Sequence, residues 1–249
     1  MELRYSIVIP MYNETRNLPA AIPALRALLD RLACPAEVVM VNDGSTDQTP
    51  AMARELAGDD DRFVITGYEI NRGKGGAVKF GMLASRGEVV LMTDCDLAYG
   101  CDTMYDMLTA LAADSSADLL IGSRNLAADG YASYTPLRRL MSKTYIGLIK
   151  AVSGFRYSDS QCGIKCFRAG AVQKIFPLCT VERFAIDLEV LLIADRYGMS
   201  VKEFPVSVKV HDQGSSKVNP IKDTLQMLGD LRVMKKRVKT LDIKKSDDC

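Results

Sequence analysis

Through the first half of the chain, short apolar runs alternate with stretches whose apolar residues recur at helical spacing. The runs are YSIVIP from residue 5, AEVVMV from 36, RFVITG from 62, EVVLMT from 88 and ADLLIG from 117; the helical patterns fill 20–32, 47–57, 74–85 and 102–113. Runs this short and this rich in Val and Ile read as strands, and their alternation with helices predicts an α/β fold with a mainly parallel, helix-covered sheet. The second half is less regular. Residues 136–153 form a helical pattern with Leu137, Leu140, Met141, Tyr145, Leu148, Ile149 and Val152 on one face and Arg139, Lys143 and Lys150 on the other. A polar loop YSDSQCG, a short strand IKCF, a helix near 184–197, a strand over 200–210 and a last helix over about 219–238 follow. The expected organisation is one domain over 1–218, an amphipathic helix over 219–239 and a disordered charged tail over 240–249.

In parallel sheets of this kind, ligands bind beyond the carboxyl ends of the strands. Those ends carry the polar motifs: PMYNE after the first strand, NDGSTD after the second, NRGKGG after the third, DCD after the fourth and GSR after the fifth. Asp94 and Asp96 sit at i and i+2, which in an extended chain places both carboxylates on one face, about 6.5 to 7 Å apart at Cα. Together they suit one cation. Asp43, at a strand end, can accept from a base N–H or a ribose hydroxyl, and Gly44 and Ser45 suit a turn into the next helix. Lys74 lies among three glycines at a helix start, where amide groups and a cation favour an anion such as a diphosphate.

Composition narrows this picture. The chain has 249 residues, 48% hydrophobic and 25% charged, enough for a substantial core, and its net charge of +1 gives no reason to expect nucleic acid. No run approaches the 18 to 20 or so apolar residues that span a bilayer, and the first residues enter a strand pattern rather than a signal peptide, so a soluble or peripheral protein is expected. Seven cysteines without a C-x-x-C pair, and His211 as the one histidine, argue against zinc and for reduced thiols. Cys95 reads as a spacer between hard carboxylates. G-x-G-x-x-G and Walker A motifs are absent.

The ordered set IVIPMYNE, VNDGSTD, GKGGAV, TDCD and GSRN resembles the family 2 glycosyltransferases, whose GT-A (Rossmann-like) fold binds a nucleoside-diphosphate sugar. DSQCGIKCF, VERFAIDLE and GSSKV extend the resemblance to polyprenyl-phosphate sugar synthases, closer to the dolichyl-phosphate β-glucosyltransferase branch than to the mannosyl branch. Leu97 and Ala98 stand where the mannosyl branch has Leu-Gln, and eukaryotic glucosyl enzymes carry an N-terminal membrane anchor not seen here. The resemblance implies nucleoside contacts from Pro10, Tyr12, Glu14 and Asp43. It puts Asp94 against ribose or metal, Asp96 as the principal ligand of Mg2+ or Mn2+, and Arg124 near phosphate. Asp159 and Gln161 fall at the sugar and acceptor, Asp187 is a further acidic candidate, and Lys217 meets the acceptor or donor phosphate.

The implied reaction moves glucose from UDP-glucose to a polyprenyl phosphate with inversion, at the cytoplasmic face of a membrane. A Lewis-acid metal with Lys74 or Lys217 would offset charge on the leaving diphosphate. The acceptor needs no general base, because the second phosphate pKa is about 6. Arg138 and Arg139 are expected near its path, and the 137–152 helix and the basic residues Arg232, Lys235, Lys236, Arg237, Lys239, Lys244 and Lys245 suit an anionic leaflet as well as they suit a core helix and a solvated tail. The alternatives are a family 2 transferase using GDP-mannose or a saccharide acceptor, and a non-catalytic nucleotide-sugar-binding module.

Overall fold

The computed structural model describes residues 3–131, 146–147, 149–150, 154–209 and 220–241. The first half follows the predicted alternation: β1 Tyr5–Met11, α1 Leu18–Leu32, β2 Ala36–Asp43, α2 Thr49–Ala57, β3 Phe63–Tyr68, α3 Lys74–Ala84, β4 Val89–Met92, α4 Gly100–Ala113 and β5 Leu119–Ser123. Then come β6 Lys165–Arg168, α5 Ala169–Ile175, α6 Ile186–Arg196, β7 Val201–Pro205 and α7 Pro220–Lys239.

The seven strands lie in the order β3-β2-β1-β4-β6-β5-β7. All pair in parallel except β6, which runs antiparallel to β4 and to β5. This insertion matters for function. An antiparallel strand begins at the edge where its parallel neighbours end, so the 157–164 loop that feeds β6 arrives at the same rim as the DCD and GSR segments. Lys165, the first residue of β6, pairs with Met92 of β4 and Ile121 of β5.

Both faces of the sheet are buried, which is why the strands read as continuous apolar runs rather than alternating ones. Along β1, Ile7, Ile9 and Met11 enter one core and Val8 the other; along β2, Val38 and Met40 oppose Val39 and Val41. The first core is closed by Leu18, Ile22 and Leu25 of α1 and by Met104, Met107, Leu108 and Leu111 of α4. The second is closed by Ala77, Val78 and Met82 of α3, by α5 and α6, and by Leu231, Met234 and Val238 of α7. Each fully buried aliphatic side chain of this kind contributes about 1.5–3 kcal/mol.

Three features depart from the sequence pattern. The helix α5 was not expected; it spans two turns and contains Gly170, too short for periodicity to register. The strand expected over 200–210 stops at Pro205. The D-x-D segment is not extended: β4 ends at Met92, Leu97 N–H donates to Asp94 O at 3.1 Å, and Leu97 adopts φ 47°. Asp94 and Asp96 therefore sit on a turn, and their nearness comes from the turn rather than from strand alternation. A non-glycine residue in the left-handed region carries a strain of order 1–3 kcal/mol.

Candidate functional site

The first two loops of the rim are laced together. Asn13, with φ 55°, accepts from Thr46 N–H at Oδ1 (2.9 Å) and donates through its own N–H to Ser45 Oγ (3.1 Å), while Glu14 N–H donates to Thr49 Oγ1 at 2.7 Å. This fixes PMYNE against NDGSTD and brings Pro10, Tyr12, Glu14 and Asp43 to one edge. Asp43 is buried. Its Oδ1 accepts from Arg72 N–H at 2.8 Å and its Oδ2 from Asn71 Nδ2 at 2.9 Å. Besides any nucleoside contact, it therefore ties the loop after β3 to the end of β2.

Lys74 opens α3 and its ammonium reaches Asp94 Oδ1 at 2.6 Å. Burial would lower its pKa, but the carboxylates of Asp94, Asp187 and Asp96 more than offset this and hold it charged. Asp96 is half-buried and accepts from Ala98 N–H at 3.1 Å. Its carboxyl is pushed up, first by burial and then by the charge of Asp94. Gly163 lies against this pair: a Cβ there would be 2.6 Å from Asp94 Oδ2, so any larger residue would displace the carboxylate. Its N–H donates to the buried Tyr99 hydroxyl at 3.1 Å. Burial raises the pKa of that phenol far above its usual value, which keeps it neutral.

The remaining acids are matched to cations. Asp159 is completely buried and bound two-pronged by Arg124, Nε to Oδ2 at 2.6 Å and Nη2 to Oδ1 at 2.9 Å, with Arg124 N–H adding a contact at 3.2 Å. Asp187, near the start of α6, pairs with the fully buried ammonium of Lys165, which also donates to Cys162 O at 2.6 Å. Removing one partner of such a pair costs about 3–5 kcal/mol, because the other is left charged in a poor solvent. Asp159, expected at sugar and acceptor, and Arg124, expected near phosphate, are each other's counter-ion here, with the Asp159 carboxylate buried. Gln161 is half-buried beside them. Lys217, Arg138 and Arg139, and most of the 137–152 helix, lie outside the described residues.

Sequence reasoning missed Lys165, Tyr99, Gly163 and Asn13. Lys165 was the most legible: a lysine flanked by apolar residues in a core strand requires an acid, and Asp187 is on the facing helix. Among the described residues, no three His, Cys, Asp or Glu side chains cluster as a complete metal cage. Asp94 and Asp96 nevertheless fit a hard dication, since Lys74 contacts only the first of the two carboxylates and Mg2+-type ions complete their shell with substrate phosphates and water.

A mixed sheet whose antiparallel strand delivers a loop beside a D-x-D turn, with a lysine from the glycine-rich helix start, defines a GT-A-type sugar-nucleotide transferase fold. The family model for glycosyl transferase family 2 matches residues 6–176, and the chain belongs to that family. It is 33% identical over 256 residues to the dolichyl-phosphate beta-glucosyltransferase of Homo sapiens, covering 94% of this chain and 76% of the relative. It is 31% identical over 251 residues to the enzyme of the same name from Saccharomyces cerevisiae, with 94% and 75% covered. Among solved structures it resembles glucosyl-3-phosphoglycerate synthase from Mycobacterium tuberculosis in complex with Mn2+, UDP and glucosyl-3-phosphoglycerate, at a TM-score of 0.67 and 15% identity over 97% of this chain and 82% of that one. Among the described residues, no helix is long and apolar enough to cross a membrane.

Proposed function

We propose that the protein transfers glucose from UDP-glucose to a dolichyl-type polyprenyl phosphate, inverting the α linkage of the donor to a β-linked lipid phosphosugar. One observation supports this reading: the D-x-D turn brings two carboxylates and the Lys74 ammonium together at the rim of a chain that matches dolichyl-phosphate glucosyltransferases over nine-tenths of its length, a set suited to a cation and a diphosphate. An acceptor phosphate oxygen attacks the anomeric carbon, the bond from that carbon to the diphosphate breaks, and its electron pair leaves with UDP. Lys74 places positive charge beside the leaving diphosphate. A Mg2+ or Mn2+ ion held by Asp94 and Asp96 would supply Lewis-acid stabilisation of the same group.

The buried ion pairs favour a phosphate acceptor over a saccharide one. A sugar hydroxyl needs a general base, yet Asp159, expected at the sugar and acceptor, and Asp187, the further acidic candidate, are paired with Arg124 and Lys165. A phosphate monoester is already largely dianionic at neutral pH. Lys217, Arg138 and Arg139 are assigned to the acceptor phosphate, and the basic C-terminal segment to the cytoplasmic surface of a membrane. Incubation with radiolabelled UDP-glucose, UDP-galactose and GDP-mannose, each with a polyprenyl phosphate or a free saccharide and Mn2+ or Mg2+, tests the reading. Organic-soluble label from UDP-glucose alone supports it; label on the saccharide, or from GDP-mannose, overturns it.

A further inference from the structure

Glu189 of α6 is fully buried and carries no role in the scheme above. Its Oε2 accepts from Thr180 N–H at 2.9 Å and Val181 N–H at 2.8 Å; its Oε1 accepts from Thr180 Oγ1 at 2.9 Å and from Arg237 Nη2, on α7, at 2.5 Å. Residues 179–182 have no regular secondary structure, so this carboxylate holds them where a helix or ladder would otherwise do so. The segment it holds lies directly on the start of α3. Gly76 N–H donates to Glu182 O at 3.1 Å, and a Cβ on Gly75 would come within 2.3 Å of Val181 O and 2.8 Å of Arg183 O. The glycines around Lys74 thus serve a backbone-to-backbone contact, and one of the amides expected to face an anion is already bonded to Glu182. From Arg237 to Asp94 the path is continuous: guanidinium, Glu189, the 180–183 backbone, the 74–76 backbone, and the Lys74 ammonium.

We infer that Glu189 and Arg237 are positioning residues for the diphosphate end of the site, and that the C-terminal helix belongs to its scaffold rather than being an appendage for membrane attachment alone. Arg237 belongs to the basic run expected to face solvent or a leaflet, yet its guanidinium turns inward. Without it, Glu189 is a buried carboxylate lacking its counter-ion; protonation or entering water relieves that cost, and either loosens Thr180 and Val181. Lys74 then loses the backbone that sets its approach to Asp94. Arg237 reaches Glu189 through one Nη, and its Nε has no partner among the described residues, so a lysine can supply the required donor.

The inference rests on the reading of Lys74, Asp94 and Asp96 as the metal and diphosphate site, and the test separates the two. Full-length Arg237→Ala, Arg237→Lys, Glu189→Gln and Asp96→Asn are compared by calorimetric titration with UDP and Mn2+, and by kinetics with UDP-glucose and a short prenyl phosphate. Measurements are made at a temperature where circular dichroism shows each variant folded. The expected result is that Arg237→Ala and Glu189→Gln weaken Mn2+-dependent UDP binding about tenfold, at the low end of what supporting residues of metal sites contribute. The KM for prenyl phosphate stays unchanged, and Arg237→Lys recovers most of the loss. If Arg237→Ala does not fold, Arg237→Gln, which keeps the apolar stem, replaces it. Wild-type UDP affinity in the folded variants, an equal loss for prenyl phosphate, or no recovery by lysine overturns the inference while leaving the site reading intact. Normal Mn2+-dependent binding by Asp96→Asn overturns the site reading and the inference with it.

Discussion

Gly163→Ala offers a test of the D-x-D turn that replaces no charged group. The added methyl would sit 2.6 Å from Asp94 Oδ2 and 3.6 Å from Lys74 Nζ, whereas ordinary contact begins near 3.4 Å. The methyl belongs to the backbone and cannot swing aside, because β6 begins two residues later and Gly163 N–H is held by Tyr99. The Asp94 oxygen must therefore retreat by roughly 0.8 Å, several times the tolerance of about 0.2 Å on metal–ligand distances. A displacement near 1 Å at a reacting centre costs on the order of 100-fold in rate. The assay is turnover of UDP-glucose at saturating prenyl phosphate, paired with a Mn2+ titration in the presence of UDP. Expected are a loss of one to two orders of magnitude in kcat/KM and a right-shifted Mn2+ titration, with little change in Tm because Asp94 is a rim residue. Wild-type turnover and Mn2+ affinity in a folded Gly163→Ala protein would refute the assignment of Asp94 to the metal and diphosphate.

Asp96→Asn should abolish transfer and Mn2+-dependent UDP binding while leaving the thermal unfolding curve in place; normal turnover would remove Asp96 from the metal site. Asp43→Ala should weaken UDP binding by about 1–3 kcal/mol, because Arg72 N–H and the Asn71 amide lose their acceptor along with any nucleoside bond; unchanged affinity in calorimetry would reduce Asp43 to a loop tie. Asp60 is held well below the usual carboxylate range, first by hydrogen bonds from Arg62 and, against the cost of burial, by Arg26. Its folded pKa is depressed, so its contribution, about 1 kcal/mol for a partly exposed cluster, is present above pH 4 and fades as pH falls. Asp60→Asn should therefore lower Tm at pH 7 and progressively less at acid pH, and a deficit that grows on acidification would contradict the sign. The rate should rise with ionisation of the acceptor phosphate near pH 6, and Asp159→Asn should lower turnover without moving that midpoint; a shifted midpoint would make Asp159 a base.

The parallel strands and their terminal loops were legible because a sheet buried on both faces writes itself as Val- and Ile-rich runs, and because the polar residues after each run had nowhere to go but the rim. The insertion of β6 between β4 and β5 was not legible: a strand of four residues, KCFR, has no period that reveals its neighbours or direction. That omission hid the partners of the buried charges at the site. With β6 in the middle, Lys165 lies between the fourth and fifth strands and engages Asp187, and the 157–163 loop folds down so that Asp159 meets Arg124. Spacing could nominate each of these acids, but a motif records residue types along the chain, whereas the partner of a buried charge is chosen across it. The basic C-terminal run shows the same limit, since nothing in its composition distinguishes Arg237, which turns inward to Glu189, from its neighbours.

The charges around the rim form an unequal set, and the inequality bears on where a metal enters. Asp94, Asp159, Asp187 and Glu189 each have a cation in contact: Lys74, Arg124, Lys165 and Arg237. Asp96 has no ion-pair partner among the described residues; it is half-buried next to Asp94, and its carboxyl is pushed up first by burial and then by the charge of Asp94. Neutralising it with another side chain would leave a complete and inert network of pairs. Without a counter-ion of its own beside Asp94, it would favour the approach of a dication accompanying a diphosphate. The buried pairs and the unpaired Asp96 thus differ in kind, and under the proposed reading the Asp94–Asp96 turn is where an ion would be drawn.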